Sequence, residues 1–245
     1  MRIAFDLDGV LADLHSAFTQ TAIGLFPHLD RAAMEAPDVG ASPPAETVEI
    51  TEAPALTPAV PVPVGPREAD AVWRHLTGVE NFWQSLREIE PGAIARLAAI
   101  ADERRWDVLF ITSRPASAGA TVQRQTQRWL QQMGFPLPSV YVVPGSRGRL
   151  ASALELDVVV DDRPDNCLDV VLESSAGAVL IWRGPEEKVP VSARRLGIAV
   201  SPTVGGCLET LIDAEASRTP GSFLDRLRKL FGLKTRSPST LFRRP

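Results

Sequence analysis

Two segments of this sequence place acids side by side directly after apolar runs. Asp6-Leu7-Asp8-Gly9 follows Ile3-Ala4-Phe5, and Asp161-Asp162-Arg163-Pro164 follows Val158-Val159-Val160. Carboxylates crowded at one point repel each other unless a cation neutralises them. Hard oxygen ligands select Mg2+, which keeps waters and shares a substrate phosphate. Asp6 and Asp8 are two apart on a segment leaving a strand, so alternation alone aims both side chains at the same pocket. One of such a pair can attack phosphorus while the other handles protons. Gly9 lets the backbone turn sharply and approach a ligand. Thr112 and Ser113 follow another apolar run and can donate hydrogen bonds to phosphate oxygens. Arg147 and Arg149, in Pro144-Gly145-Ser146-Arg147-Gly148-Arg149, can each neutralise charge as a phosphoryl group transfers.

These residues converge only if the elements carrying them are parallel strands, because ligands of open α/β sheets bind outside the carboxyl ends of the strands. The pattern from residue 91 onward predicts this. Ile94, Leu97, Ala98 and Ala101 form a helical stripe, and Val108-Leu109-Phe110-Ile111 reads as a strand covered on both faces. Helical spacing then returns over residues 118–133, with Gly134 as a stop. Val140-Tyr141-Val142-Val143, a helix through Leu150, Ala153 and Leu154, then Val158-Val159-Val160 and Ala178-Val179-Leu180-Ile181-Trp182 complete the series. With Ile3-Ala4-Phe5, these segments predict a Rossmann-like α/β fold, a parallel sheet with helices on both faces. An insertion lies between the first strand and residue 91. It contains predicted helices over 13–26 and 67–88, whose aromatic residues read as core packing. Between them, residues 36–66 hold eight prolines and neither Lys nor Arg, the composition of an extended, mobile connection. The expected organisation is a core of residues 1–13 plus 91–215, a helical cap of residues 14–90 and a tail of residues 216–245.

Composition narrows the class. At 245 residues, with 44% hydrophobic and 23% charged positions, the chain can bury a core without disulfides or a structural metal. No run of 18 apolar residues predicts a membrane-spanning helix. Cys167 and Cys207 are too few for a disulfide framework and read as buried, inert thiols. The opening segment, with an acid at position 6, predicts a cytoplasmic protein. Residues 222–245 carry seven basic side chains against Asp225 alone, so this tail holds +6 and the rest −10 of the formal net −4. A body this acidic is a poor platform for a nucleic-acid polymer. The tail places Phe223, Leu224, Leu227, Leu230 and Phe231 on one helical face, which allows weak contact with an anionic surface or a protein partner.

The chain resembles a known family at these same positions. Asp6-Leu7-Asp8-Gly9-Val10-Leu11-Ala12-Asp13 is similar to the first motif of the haloacid dehalogenase-like (HAD) hydrolases, and its Val-Leu-Ala-Asp form resembles the 5′(3′)-deoxyribonucleotidase branch. Phe110-Ile111-Thr112-Ser113 resembles the second motif and Val160-Asp161-Asp162-Arg163-Pro164 the fourth. The resemblance covers residues 1–13 and about 91–183. It implies that Asp6 is a nucleophile forming an aspartyl-phosphate. Asp8 would be the general acid/base, its carbonyl also facing the metal. Thr112, with Ser113, would bind the phosphoryl group, and Asp162, with Asp161, would hold Mg2+. The family's third motif supplies a Lys, yet residues 134–160 contain none; Arg147 is the first substitute and Arg149 the second. An insertion after the first motif would form a cap that closes over the site and selects substrate.

The expectation is therefore a Mg2+-dependent phosphatase acting on a small phosphomonoester, a nucleotide among the candidates. The metal set would be Asp6, Asp8, Asp161 and Asp162, and the phosphate set Thr112, Ser113, Arg147 and Arg149. The alternative is a low-turnover binding or regulatory module that engages a partner through the Pro-rich stretch or the basic tail. Phosphoryl transfer between substrates is a narrower rival on the same core.

Overall fold

The computed structural model describes residues 1–30, 34 and 63–216. Most of the Pro-rich stretch and of the basic tail lies outside these residues, and so do the expectations placed on them.

Five of the strands come from the apolar runs: β1 (Arg2–Asp6), β2 (Asp107–Thr112), β3 (Ser139–Val142), β4 (Val158–Asp161) and β5 (Gly177–Ile181). A sixth, β6 (Ala199–Ser201), is only three residues long and gives no usable signal in the sequence. All six run parallel in the order β3-β2-β1-β4-β5-β6. The chain order reverses at β1, which pairs with β2 on one side and β4 on the other, so the crevice at their carboxyl ends is the ligand position of this topology.

Alternation along β1 divides the core. Ile3 and Phe5 belong to the larger apolar cluster on one face, and Ala4 to a second cluster on the other. The larger face is covered by α3 (Ala93–Arg104), α4 (Val122–Gln132) and α8 (Val204–Ala216). The second is covered by α5 (Arg147–Ala153), α6 (Pro164–Glu173) and α7 (Val191–Arg195).

The insertion supplies α1 (Leu14–Leu25) and α2 (Pro66–Gly78), which pack on each other. Their Phe18, Val72 and Leu76 share the larger cluster with Ile3 and Phe5. The helix expected over 67–88 stops at Gly78. Beyond it Asn81 takes a left-handed φ of 53°, and Phe82–Gln84 form a single 3-10 turn. The helix expected over 118–133 begins only at Val122. Ala118 is instead bonded to the insertion, its N–H donating to Thr77 O at 2.8 Å and its carbonyl accepting from Asn81 N at 2.8 Å. Both limbs of the insertion are tied together: Asp13 N donates to Arg87 O and Ile89 N to Leu11 O, each at 2.9 Å.

Among the described residues no helix is long and apolar enough to cross a membrane. Cys167 and Cys207 are both buried, and burial pushes their thiols up, that of Cys207 to about 12. A thiol held protonated is a poor nucleophile and a poor metal ligand.

Candidate active site

The first acidic pair leaves the centre of the sheet. Asp6 closes β1 opposite Ile111 of β2, and the chain then folds into a tight loop. Leu11 N and Ala12 N both donate to Leu7 O, at 2.8 and 2.7 Å, and Gly9 N donates to Ala12 O at 3.1 Å. Gly9 sits at φ +86°, and a Cβ there would lie 1.9 Å from Asp162 Oδ2, so only glycine lets the first and fourth motifs meet. Arg183, just beyond β5, donates from Nη2 to Val10 O at 3.1 Å and pairs with Glu90 at 2.9 Å. Glu90 in turn accepts from Val204 N at 2.8 Å and Gly205 N at 3.1 Å at the start of α8. The loop is thus held from outside as well as by its own bonds.

Asp6 and Asp8 each meet their own arginine. Arg147 Nη2 donates to Asp6 Oδ1 at 3.0 Å, its Nε stands 3.8 Å from Asp161 Oδ2, and its Nη1 donates to Val143 O at 3.1 Å. Its side chain is only 6% exposed. Of the two arginines considered for this place, the structure brings in Arg147 alone. Arg149 turns outward, 83% exposed, and pairs with Glu173 at 3.3 Å. The physical reason is helical: residues two apart on α5 point about 200° apart, so both cannot face one site. The start of α5 is fixed against α6. Ser146 Oγ and Gly148 N both donate to Asp169 Oδ2 at 2.8 Å, and a Cβ on Gly148 would lie 2.3 Å from Asp169 O.

Asp8 is gripped by Arg114, a residue that sequence reading passed over. Arg114 Nε reaches Asp8 Oδ2 at 2.8 Å and Oδ1 at 3.1 Å, and Nη2 reaches Oδ1 at 2.7 Å. Thr112 is buried, with its hydroxyl 3.5 Å from Asp8 Oδ2 and accepting from Arg114 N at 3.3 Å. Ser113 stands partly exposed beside it. A cation directly before Pro115 at a strand end was the available signal.

The second acidic pair divides its labour. Asp161 is fully buried and already satisfied. Its Oδ1 accepts from Arg163 N at 2.9 Å and from Asn166 Nδ2 at 3.1 Å, and its Oδ2 accepts from Asn166 Nδ2 at 3.0 Å. Asp162 is partly exposed against Gly9.

Electrostatically the cluster is short of positive charge. Burial, then Asp161, holds the Asp6 carboxyl well above its usual range, against the pull of Arg147; Asp162 and Asp8 add to the rise. Asp162 is pushed up to about 8, by desolvation first and by Asp161 next. Asp161 is raised by burial despite Arg147 and its hydrogen bonds. Among the described residues, no group of three or more His, Cys, Asp or Glu side chains is arranged to hold a metal by itself. Of the four acids expected around a metal, Asp8 is engaged by Arg114, and Asp161 by Asn166, Arg163 N and Arg147. Asp6, which Arg147 meets through Oδ1, and Asp162 both have raised carboxyls. Two carboxylates suit an ion such as Mg2+ that completes its shell with waters and a substrate oxygen, and such an ion would lower both raised carboxyls.

No protein-family model matches this chain, and no curated protein matches it. Solved structures do resemble it. A hydrolase from Pseudomonas syringae is 15% identical and aligns over 89% of this chain and 100% of its own, with a TM-score of 0.48. A HAD family hydrolase from Deinococcus radiodurans R1, solved with bound phosphate and sodium, is 16% identical and aligns over 90% of this chain and 98% of its own, with a TM-score of 0.50. The latter likeness shows that the two chains share a fold.

Proposed function

We propose that the chain is a HAD-type phosphatase that hydrolyses a small phosphomonoester through an aspartyl-phosphate on Asp6. One observation carries this reading. A strand-end carboxylate at the topological switch point faces a buried arginine at 3.0 Å, next to a second acid held in register two residues on. The phosphate bound to the Deinococcus radiodurans protein of the same fold supports a phosphorylated substrate.

In this mechanism an Asp6 oxygen attacks phosphorus, the ester P–O bond breaks, and the leaving oxygen takes a proton from Asp8. Water then attacks the phosphorus of the acyl phosphate, its proton passes to Asp8, and the P–O bond to Asp6 breaks to free inorganic phosphate. Arg147 neutralises charge building on the phosphoryl oxygens, the task for which the related motif uses a Lys. Arginine does this as a planar fork that stays charged at any working pH. Thr112 and Ser113 supply hydroxyls at the same strand end. A magnesium ion held by Asp6, Asp162 and the Asp8 carbonyl would supply charge neutralisation and orient the phosphoryl group. Asp161 braces Arg147 and the start of α6 rather than holding an ion. Nucleotide selection would lie in the insertion, whose Trp83 bonds Pro115 beyond the end of β2.

The test is phosphate release in the presence of Mg2+ across nucleotides, sugar phosphates, phosphorylated amino acids and an aryl phosphate. The full chain turns over at least one class, while Asp6→Asn and EDTA each abolish release. Turnover that survives either treatment refutes the mechanism. The binding-module alternative is favoured only if every ester is left intact.

A further inference from the structure

We infer that Arg114 is a positioning residue for Asp8, and that Trp83, on the returning limb of the insertion, holds Arg114 in place. The inference rests on the reading of Asp8 as the proton carrier. The guanidinium fork reaches both carboxylate oxygens, at 2.7 and 2.8 Å, which fixes rotation of the carboxylate as one donor alone cannot. Arg114 is itself fixed. Its side chain is 0% exposed, its Nη1 donates to Thr126 Oγ1 at 3.1 Å, and its Cζ lies 4.7 Å from the Trp83 ring and 5.7 Å from that of Trp129. Burying an arginine between two indoles is expensive, and the expense is offset here by the carboxylate and the two aromatic faces.

Trp83 is in turn a fixed part. Its Nε1 donates to Pro115 O at 3.1 Å and its N–H to Gln125 Oε1 at 3.1 Å. Gln125 Nε2 donates to Ala118 O at 3.3 Å and Ala120 O at 2.5 Å, in the loop that also bonds Thr77 and Asn81 of the insertion. The insertion thereby reaches the proton carrier through one stacked ring and one guanidinium. A structural ion pair does not require a planar fork; an orienting one does, and lysine, a compact point charge, cannot reproduce it.

The experiment uses the full chain with Mg2+ and two esters, p-nitrophenyl phosphate, whose leaving group needs little protonation, and an alkyl phosphate, whose leaving group needs a proton. Arg114→Lys lowers kcat on the alkyl ester by about 100-fold, the order expected for a group displaced by about 1 Å. Its KM stays within threefold (roughly), and the pre-steady-state burst of nitrophenol release, a step that draws no proton from Asp8, slows at least tenfold less (roughly). Trp83→Phe, which keeps an aromatic filler but loses the Nε1 bond to Pro115, shows the same selective loss in weaker form. Adding guanidinium chloride to Arg114→Ala restores turnover, and sodium chloride at equal ionic strength does not. Thermal melts confirm that each variant is folded; should Arg114→Lys fail to fold, Trp83→Phe decides. Equal losses in alkyl-ester turnover and in the nitrophenol burst, or wild-type kcat in the decisive variant, overturn the positioning role and leave the phosphatase reading standing. A wild-type chain that cleaves neither ester refutes the phosphatase reading and the positioning role together.

Discussion

Arg147→Met removes the one cation that touches Asp6 among the described residues. Arg147 is 6% exposed at its side chain and lies 3.0 Å from Asp6 and 3.8 Å from Asp161, so the variant leaves two buried acids facing an apolar thioether. Breaking a buried pair from one side costs about 3–5 kcal/mol, unless the orphaned acid takes up a proton instead. That escape sets the pH dependence. Asp6 already sits well above its ordinary value of 3.8 through burial and Asp161, and Arg147 is what restrains it. An acid raised in the folded state holds its proton where the unfolded chain has lost it, so stability falls as pH climbs from the unfolded value toward the folded one. Removing Arg147 raises the folded value further and extends the falling limb. Urea unfolding in EDTA therefore shows a stability gap between wild type and Arg147→Met that widens as pH rises past the wild-type folded value of Asp6, by up to about 1.4 kcal/mol per pH unit for each extra proton retained. Phosphate release with Mg2+ drops by about 10²–10³-fold, the usual cost of losing one preorganised charge stabiliser. Arg149→Ala is the control. Its exposed pair with Glu173 contributes under about 1 kcal/mol, and its removal leaves turnover intact. A gap independent of pH, or turnover by Arg147→Met within threefold of wild type (roughly), refutes the reasoning.

Gly9→Ala places a methyl 1.9 Å from Asp162 Oδ2 at φ +86°, so stability falls by about 1–3 kcal/mol and phosphate release by more than about tenfold; unaltered urea midpoints and rates would contradict the close approach. If Asp162 holds the proposed Mg2+, the ion displaces a proton from a carboxyl raised to about 8, so the rise in melting temperature on adding Mg2+ grows from pH 6 to pH 8. Differential scanning fluorimetry reads it, and equal shifts at both pH values, or an undiminished shift in Asp162→Asn, would remove Asp162 from the ion site.

Much of the fold was legible because of where its strands sit. β1, β2, β4 and β5 are covered on both faces and so appear as unbroken apolar runs, whereas β6 is too short to show a period. The insertion was legible as a helical pattern, but the stop at Gly78 was not: the aromatic Phe82 and Trp83 continue the apolar stripe while Asn81 breaks the helix through a left-handed backbone. At the site, residues contiguous in sequence were legible and partnerships across the fold were not. Asp6, Asp8 and Asp162 stood out as candidates by their strand ends. Arg114 was missed because Trp83, Trp129, Thr126 and Asp8, which give it meaning, are spread over more than a hundred residues. The choice between Arg147 and Arg149 was decidable in principle, since a helix through both admits only one to the crevice.

The two bonds that join Asp13 to Arg87 and Leu11 to Ile89, with the antiparallel bridge between Ala12 and Glu88, close the outgoing and returning limbs of the insertion like the neck of a purse. Beyond that neck the insertion still rests on the core through Phe18, Val72 and Leu76 and through Thr77, Asn81 and Trp83, so only the chain farther out can change length without disturbing the sheet. A lineage could lengthen or shorten the chain between α1 and α2 while the carboxylates beneath keep their register.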